Sequence, residues 1–163
     1  MKKGISFPVD NFTDLRIQML NWVNRFNIFC FLDNQRYEFS KPEFECLVAA
    51  GCKRNITVNA GNAFAAFDDF YRSAKNEWLF GHFGYDLKNE TEQLVSQNFD
   101  GIGFSDLCFF VPEIVLQLDQ HQLTIFSETG AGEIFKEISN CPAVISAALE
   151  TTIAIRNRIE KPA

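Results

Sequence analysis

Histidine and cysteine are the side chains most able to catalyse a reaction or bind a metal, and this sequence spaces them poorly for either. There are two histidines, and neither HxH nor HxxxH spacing occurs. His82 lies in an aromatic stretch and His121 in a polar turn, which favours packing and solvation over catalysis. The five cysteines are odd in number and include no CxxC pair, which argues against a disulfide framework and a zinc site. A Cys–His pair formed by the fold stays open.

Paired carboxylates and glycine-rich loops give no clearer sign of chemistry. The neighbouring acids Asp68 and Asp69, and likewise Glu90 and Glu92, fit the solvated faces of helices. The stretch 101–103, Gly-Ile-Gly, lacks the third glycine and the strand–helix context of a dinucleotide site. We therefore predict no catalytic residue, no metal site and no cofactor site in this chain.

Composition narrows the class of protein further. The chain has 163 residues, a formal net charge of −6 and only 15 Lys and Arg, so a nucleic-acid partner is not expected. No apolar stretch is long enough to cross a membrane, and the free cysteines suggest a reducing, cytoplasmic location. The 18 phenylalanines predict a core rich in aromatic carbon, or an aromatic interface that this chain alone leaves uncovered. Residues 1–163 are predicted to form a single domain.

Hydrophobic periodicity predicts the elements that would position any functional residue. Helices are expected at 11–26, at 62–74, after Asp86 and near 132–138. Apolar or alternating runs predict strands at 28–32 with a return through Tyr37 and Phe39, at 46–50 and 53–59, at 77–85, and at 113–118 with 122–126. Residues 152–159 also alternate like a strand. Hairpins without a regular βαβ rhythm indicate an α+β fold with mainly antiparallel, sandwich-like sheets and three to four flanking helices.

Three of these elements carry specific expectations about burial. The strands 46–50 and 53–59 are expected to pair with each other through a turn at Gly51. The strand 77–85 is expected in the centre of a sheet, with Tyr85 buried at its end and Asp86 capping the next helix. In the helix 62–74, the aromatic side chains Phe64, Phe67 and Tyr71 are expected to form the buried stripe.

The segment 78–94, Trp-Leu-Phe-Gly-His-Phe-Gly-Tyr-Asp-Leu-Lys-Asn-Glu-Thr-Glu-Gln-Leu, resembles a signature of the chorismate-utilising enzymes, anthranilate synthase component I and aminodeoxychorismate synthase component I. Tyr85, Asp86, Glu92 and Leu94 match the signature, whereas Asn89 stands where the family usually has arginine. The order of the strands before and after this segment extends the resemblance over about residues 12–160.

The resemblance implies that the chain is the N-terminal, non-catalytic domain of a larger enzyme. The catalytic domain, which would carry the chorismate and magnesium sites, would lie C-terminal to this sequence. The whole enzyme would use ammonia from a glutamine amidotransferase subunit. Aminodeoxychorismate synthase, which makes 4-amino-4-deoxychorismate for para-aminobenzoate and folate biosynthesis, is the preferred member, because residues 31–34 fit the tryptophan-feedback motif of anthranilate synthase poorly. Anthranilate synthase component I remains the alternative within the family.

The resemblance also implies site residues. Asp33 and Asn34 would line a tryptophan-type pocket, against the alternative that they only form a hairpin turn. Tyr85, Asp86 and Glu92 would form a structural or interface motif towards the catalytic domain. Two other functions stay open: a stand-alone tryptophan-sensing module, and an adaptor that binds the amidotransferase subunit.

Overall fold

A computed structural model of the chain describes residues 3–35, 44–92 and 103–144. It confirms the predicted α+β class, with two antiparallel sheets and helices on their outer faces. The strands are β1 (Ile5–Pro8), β2 (Phe29–Asp33), β3 (Cys46–Ala50), β4 (Arg54–Val58), β5 (Phe80–Phe83), β6 (Leu107–Val111), β7 (Ile114–Leu118) and β8 (Gln122–Ser127). The helices are α1 (Phe12–Val23), α2 (Ala63–Ser73), α3 (Lys88–Glu92) and α4 (Ala131–Ser139), and a 3₁₀ turn (Tyr85–Leu87) precedes α3.

The larger sheet has the strand order β1-β8-β7-β3-β2. One face of it packs against α1 and α4, and the residues between them form the main core. Helix α1 contributes Leu15, Met19, Trp22 and Val23, the i, i+4, i+7, i+8 stripe expected from the sequence, and all four are buried. The Asn11 side chain accepts a hydrogen bond from the backbone N–H of Asp14 at 3.1 Å and so caps the start of this helix.

The smaller sheet, with the order β4-β6-β5, packs across the other face of the larger one. Leu47, Ala49 and Val115 of the larger sheet meet Phe80 and Phe110 of the smaller sheet in a shared core. The outer face of the smaller sheet is covered in part by α2 and by Leu87 of the 3₁₀ turn. The layers therefore run helix, sheet, sheet, helix, and the α2 side is the thinner cover.

The predicted pairing of 46–50 with 53–59 is wrong. Strand β3 pairs instead with β2 and β7, and β4 pairs with β6 in the other sheet. All five residues of β3 are buried, so this strand needs a hydrogen-bonding neighbour on both sides and a covered surface on both faces. Gly51, with a φ of +73°, lets the chain leave the larger sheet and cross to the smaller one.

Of the remaining predictions, some are confirmed, some are wrong and some fall on residues that the structure does not describe. The hairpin β7–β8 and the helix near 132–138 are confirmed, whereas β5 is shorter than predicted and lies at the edge of its sheet, not in its centre. The predicted strand through Tyr37 and Phe39, the match at Leu94 and the strand-like run at 152–159 lie outside the described residues. No helix in the described ranges is long and apolar enough to cross a membrane.

Candidate functional site

Asp33 and Asn34 lie at the end of β2, and their side chains are already engaged by the chain itself. Oδ2 of Asp33 accepts a hydrogen bond from Nη1 of Arg16 at 3.1 Å, and Oδ1 accepts one from the backbone N–H of Gln35 at 2.8 Å. The Asn34 amide donates to the Glu45 carboxylate at 3.1 Å. A ligand ammonium at Asp33 would therefore have to share the carboxylate with Arg16.

The environment of Asp33 also affects a neighbouring thiol. Burial, and after it the negative charge of Asp33, raises the pKa of the Cys46 thiol to about 12. Burial likewise raises the pKa of Cys30 and Cys52. These three thiols are protonated at neutral pH, and a protonated thiol is a poor nucleophile.

Tyr85 and Asp86, which carry the family resemblance, lie on the surface. Tyr85 is 83% exposed, so the prediction that it is buried is wrong. Asp86 does not cap α3 either: it lies inside the 3₁₀ turn, and its carboxylate accepts a hydrogen bond from Nζ of Lys88 at 3.2 Å. The same ammonium lies 3.6 Å from the centroid of the Tyr85 ring. Glu92 ends α3 and is exposed. Tyr85, Asp86 and Lys88 thus form one polar and aromatic surface group.

Glu90, which the sequence suggested was only a solvated acid, joins α3 to the start of α2. Its carboxylate accepts hydrogen bonds from the backbone N–H groups of Ala63 (2.7 Å), Gly61 (2.6 Å) and Phe64 (3.4 Å). The bond from Ala63 first, and then those from Gly61 and Phe64, lower the pKa of Glu90. The carboxylate replaces the side-chain cap that Asn62 does not provide.

A second contact holds the Gly-Tyr-Asp segment against the sheet. A Cβ at Gly84 would lie 3.0 Å from both Cα and O of Asp106, so glycine permits this close approach. The Asp106 carboxylate in turn accepts a hydrogen bond from the backbone N–H of Ala60, at 2.8 Å, just before α2. The segment that carries the resemblance is therefore fixed to the start of α2 from two sides.

Beside this segment, five aromatic rings form what we call the aromatic surface: Phe64, Phe67, Tyr71, Phe83 and Phe109. Phe67 lies at its centre, with ring centroids 4.7 Å from Phe109 and 5.1 Å from Phe83. Phe64 is 42% exposed, Tyr71 60% and Phe83 51%. The predicted aromatic stripe on α2 exists, but the expectation that it is buried is wrong for Phe64 and Tyr71.

Tyr85 follows Phe83 by two residues and is exposed, and Phe104 is a further exposed aromatic side chain, at 79%. Contiguous exposed apolar groups such as those of the aromatic surface typically mark a binding surface on a folded domain. Sequence reasoning missed the contribution of Phe83, because the strand 77–85 was expected in the centre of a sheet, and it gave no expectation for Phe109. The high count of phenylalanine was the one signal that could have suggested an uncovered aromatic face.

Conventional catalytic groups are sparse in the described part of the chain. Nε2 of His82 lies 3.2 Å from the backbone oxygen of Ser105, on an exposed edge. Thr57 donates a hydrogen bond to Sγ of Cys108 at 3.6 Å. Within residues 3–35, 44–92 and 103–144, no group of three or more His, Cys, Asp or Glu is arranged to hold a metal ion.

No protein-family model matches the chain, and no curated protein matches it in sequence.

Proposed function

We propose that this chain is the N-terminal, non-catalytic domain of a chorismate-utilising synthase, and that the aromatic surface is where the catalytic domain packs. The preferred member is component I of aminodeoxychorismate synthase, which converts chorismate and ammonia to 4-amino-4-deoxychorismate in the cytoplasm. Magnesium and chorismate would bind in the catalytic domain, and the ammonia would come from a glutamine amidotransferase subunit.

The observation that supports the proposal is the position of the aromatic surface. It lies directly beside Tyr85 and Asp86, the residues that carry the family resemblance, and Glu90 fixes the two regions to each other. Exposed phenylalanine and tyrosine at the centre of a surface, with charged groups at its edge, is the usual composition of a domain or protein interface. Lys88 and Asp86 supply such an edge.

The first test is to read the source gene beyond codon 163. A frame that continues into a second domain, with a histidine and clustered glutamates for chorismate and magnesium, supports the proposal. A stop codon at that point would contradict the proposal that this domain and the catalytic domain belong to one polypeptide. Assaying the longer protein with chorismate, magnesium and an ammonium salt, and identifying the product by mass spectrometry, then separates aminodeoxychorismate synthase from anthranilate synthase.

A second test asks whether the aromatic surface is the interface. The substitution Phe83→Asp places a charge on the exposed part of the aromatic surface, and it should weaken binding of the separately expressed catalytic domain by about tenfold or more. Ile5→Asp is a matched control, because Ile5 is 54% exposed on β1, far from α2 in the layer order. Equal effects of the two substitutions would contradict the proposed interface. Binding of the amidotransferase subunit in place of the catalytic domain would assign the surface to an adaptor.

A further inference from the structure

A cleft of about 230 Å³ lies where the connection from β6 to β7 passes between the two sheets. It is at the opposite end of the larger sheet from Asp33, since its wall includes Glu113 and Ser127, whereas Asp33 pairs with Cys46 at the other end of β3. Drug-sized ligands usually occupy pockets of roughly 300–1,000 Å³. This cleft therefore has room for a small molecule or for one large side chain.

The floor of the cleft is aromatic and aliphatic. The rings of Trp78 and Phe126 lie 6.3 Å apart between centroids, at an interplanar angle of 58°. Val111 and Val115 close the floor and are almost fully buried. The faces of aromatic rings carry partial negative charge, and an indole face attracts a cation more strongly than a phenyl face does.

The rim of the cleft is acidic. Glu77, Glu113 and Glu128 all line it, and Lys53 is its only lining cation among the described residues. Nζ of Lys53 lies 2.9 Å from Glu128 and 4.0 Å from Glu77, so its charge is already committed to these two carboxylates. The carboxylate of Glu113 makes no ion pair or side-chain hydrogen bond with any residue in ranges 3–35, 44–92 and 103–144. A negative charge at the mouth of an aromatic cleft is thus left without a counter-ion.

The same protein already holds a cation with this combination of groups. The guanidinium of Arg25 lies 4.8 Å from the centroid of the Trp22 ring and 5.2 Å from that of Phe26, and it donates a hydrogen bond to Glu137. The cleft contains the same three kinds of side chain: a tryptophan, a phenylalanine and a glutamate. Among the described residues, however, no cation lies over its rings. One difference is the indole N–H: that of Trp22 donates to Glu137 at 3.2 Å, whereas that of Trp78 is buried and has no acceptor among the described residues.

We propose that this cleft binds an organic cation, an amine or guanidinium on a small apolar or aromatic body, supplied by a free molecule or by a protein side chain. The carbon body would cover Val115 and Phe126, the cation would lie against Trp78, and Glu113 would be its counter-ion. Anions are excluded by the three rim carboxylates. The proposal is independent of the proposed function, which requires nothing to bind in this cleft.

The experiment is an NMR titration of the complete chain with three phenyl-bearing probes of similar size: 2-phenylethylamine, 2-phenylethanol and 3-phenylpropionate. The chain has two tryptophans, so each indole N–H gives its own signal and reports on its own site. The amine should shift the Trp78 signal but not that of Trp22, and it should bind about fivefold or more tighter than the alcohol. Equal binding of amine and alcohol, or tighter binding of the carboxylate, overturns the proposal without the use of any variant.

A variant pair then assigns the counter-ion. Glu113→Gln should weaken binding of the amine about fivefold and leave that of the alcohol unchanged. Glu133→Gln on α4 removes another exposed carboxylate that does not line the cleft, and it should change neither. No loss of amine affinity in Glu113→Gln, in a protein whose spectrum shows the native fold, also overturns the proposal.

A last comparison separates the two sources of the cation. A blocked Phe-Arg dipeptide amide presents the same ring and a guanidinium on a peptide backbone. If it binds tighter than the free amine, the site takes a protein side chain, and if it binds more weakly, the site takes a free amine. Failure of both to bind contradicts the proposal.

Discussion

Replacing Asp33 with asparagine is expected to lower the free energy of unfolding by about 1.5 kcal/mol, between the value for an exposed ion pair and that for a fully buried one. The side chains of Arg16 and Asp33 are 24% and 17% exposed, and the donor and acceptor atoms are 3.1 Å apart. Asparagine keeps an oxygen for the N–H of Gln35, so the turn at the end of β2 survives. The loss is confined to the charge pair and leaves Arg16 without its anion.

Urea unfolding measures this directly, with fluorescence of the buried Trp22 as the signal of the main core. A loss of 1.5 kcal/mol corresponds to a fall in Tm of about 3–6 °C for a chain of this length. The matched control is Asp68→Asn, because Asp68 also pairs with an arginine, Arg72, but their side chains are 52% and 75% exposed. That control should lose less than about 0.5 kcal/mol. A double-mutant cycle with Arg16→Gln should recover about 1 kcal/mol as coupling.

The reasoning is refuted if Asp33→Asn lowers the free energy of unfolding no more than Asp68→Asn does. Titration with tryptophan distinguishes a structural role for Asp33 from a ligand-binding role, because the two roles predict opposite effects on stability and on tryptophan binding. If Asp33 chiefly binds the ammonium of an amino acid, its replacement abolishes tryptophan binding and leaves the unfolding free energy nearly unchanged. A large loss of stability without any tryptophan binding by the unaltered chain supports the structural role.

Three further predictions follow from local geometry. Asn11→Ala should cost about 1 kcal/mol in urea unfolding, because it removes the cap on the N–H of Asp14, and Asn11→Ser should restore most of it. Glu90→Gln should speed amide hydrogen exchange in the first turn of α2 at neutral pH. The folded pKa of Glu90 lies below its ordinary value of 4.5, so the stabilisation it provides is complete above pH 4.5 and is lost as the pH falls through the folded pKa. The exchange rates of the two proteins should therefore converge in acid. A difference in exchange rate that persists at low pH would contradict this. Gly81→Ala should unfold the smaller sheet or prevent its assembly, because a Cβ at this position would lie 2.0 Å from the backbone oxygen of Cys108. A circular dichroism spectrum unchanged from that of the parent protein would refute the close approach.

The parts of the fold that the sequence predicted well are those in which one strong local pattern decides the outcome. The stripe from Leu15 to Val23 is long and regular, and a polar cap precedes it, so α1 could be predicted closely. The hairpin β7–β8 is likewise local, because the Asp119 carboxylate accepts hydrogen bonds from the backbone N–H groups of His121 and Gln122 in its turn. The partners of β3 could not be predicted in this way. Its continuous burial implied two neighbours, but the choice of β2 and β7 over the adjacent β4 depends on contacts far apart in sequence.

The candidate site was harder to predict because its defining groups act between elements and not within one. Glu90 reads locally as an acid in a short helix, and only the fold shows that it binds the N–H groups at the start of α2. The stripe of Phe64, Phe67 and Tyr71 has the period of a buried face, yet the three-stranded sheet below it is too narrow to cover all three rings. Periodicity reports that a face is apolar, not what covers it. The rings that were wrongly predicted as core are therefore the best support for an interface. The Phe83→Asp and Ile5→Asp pair tests that interpretation by a binding measurement and does not depend on catalytic activity.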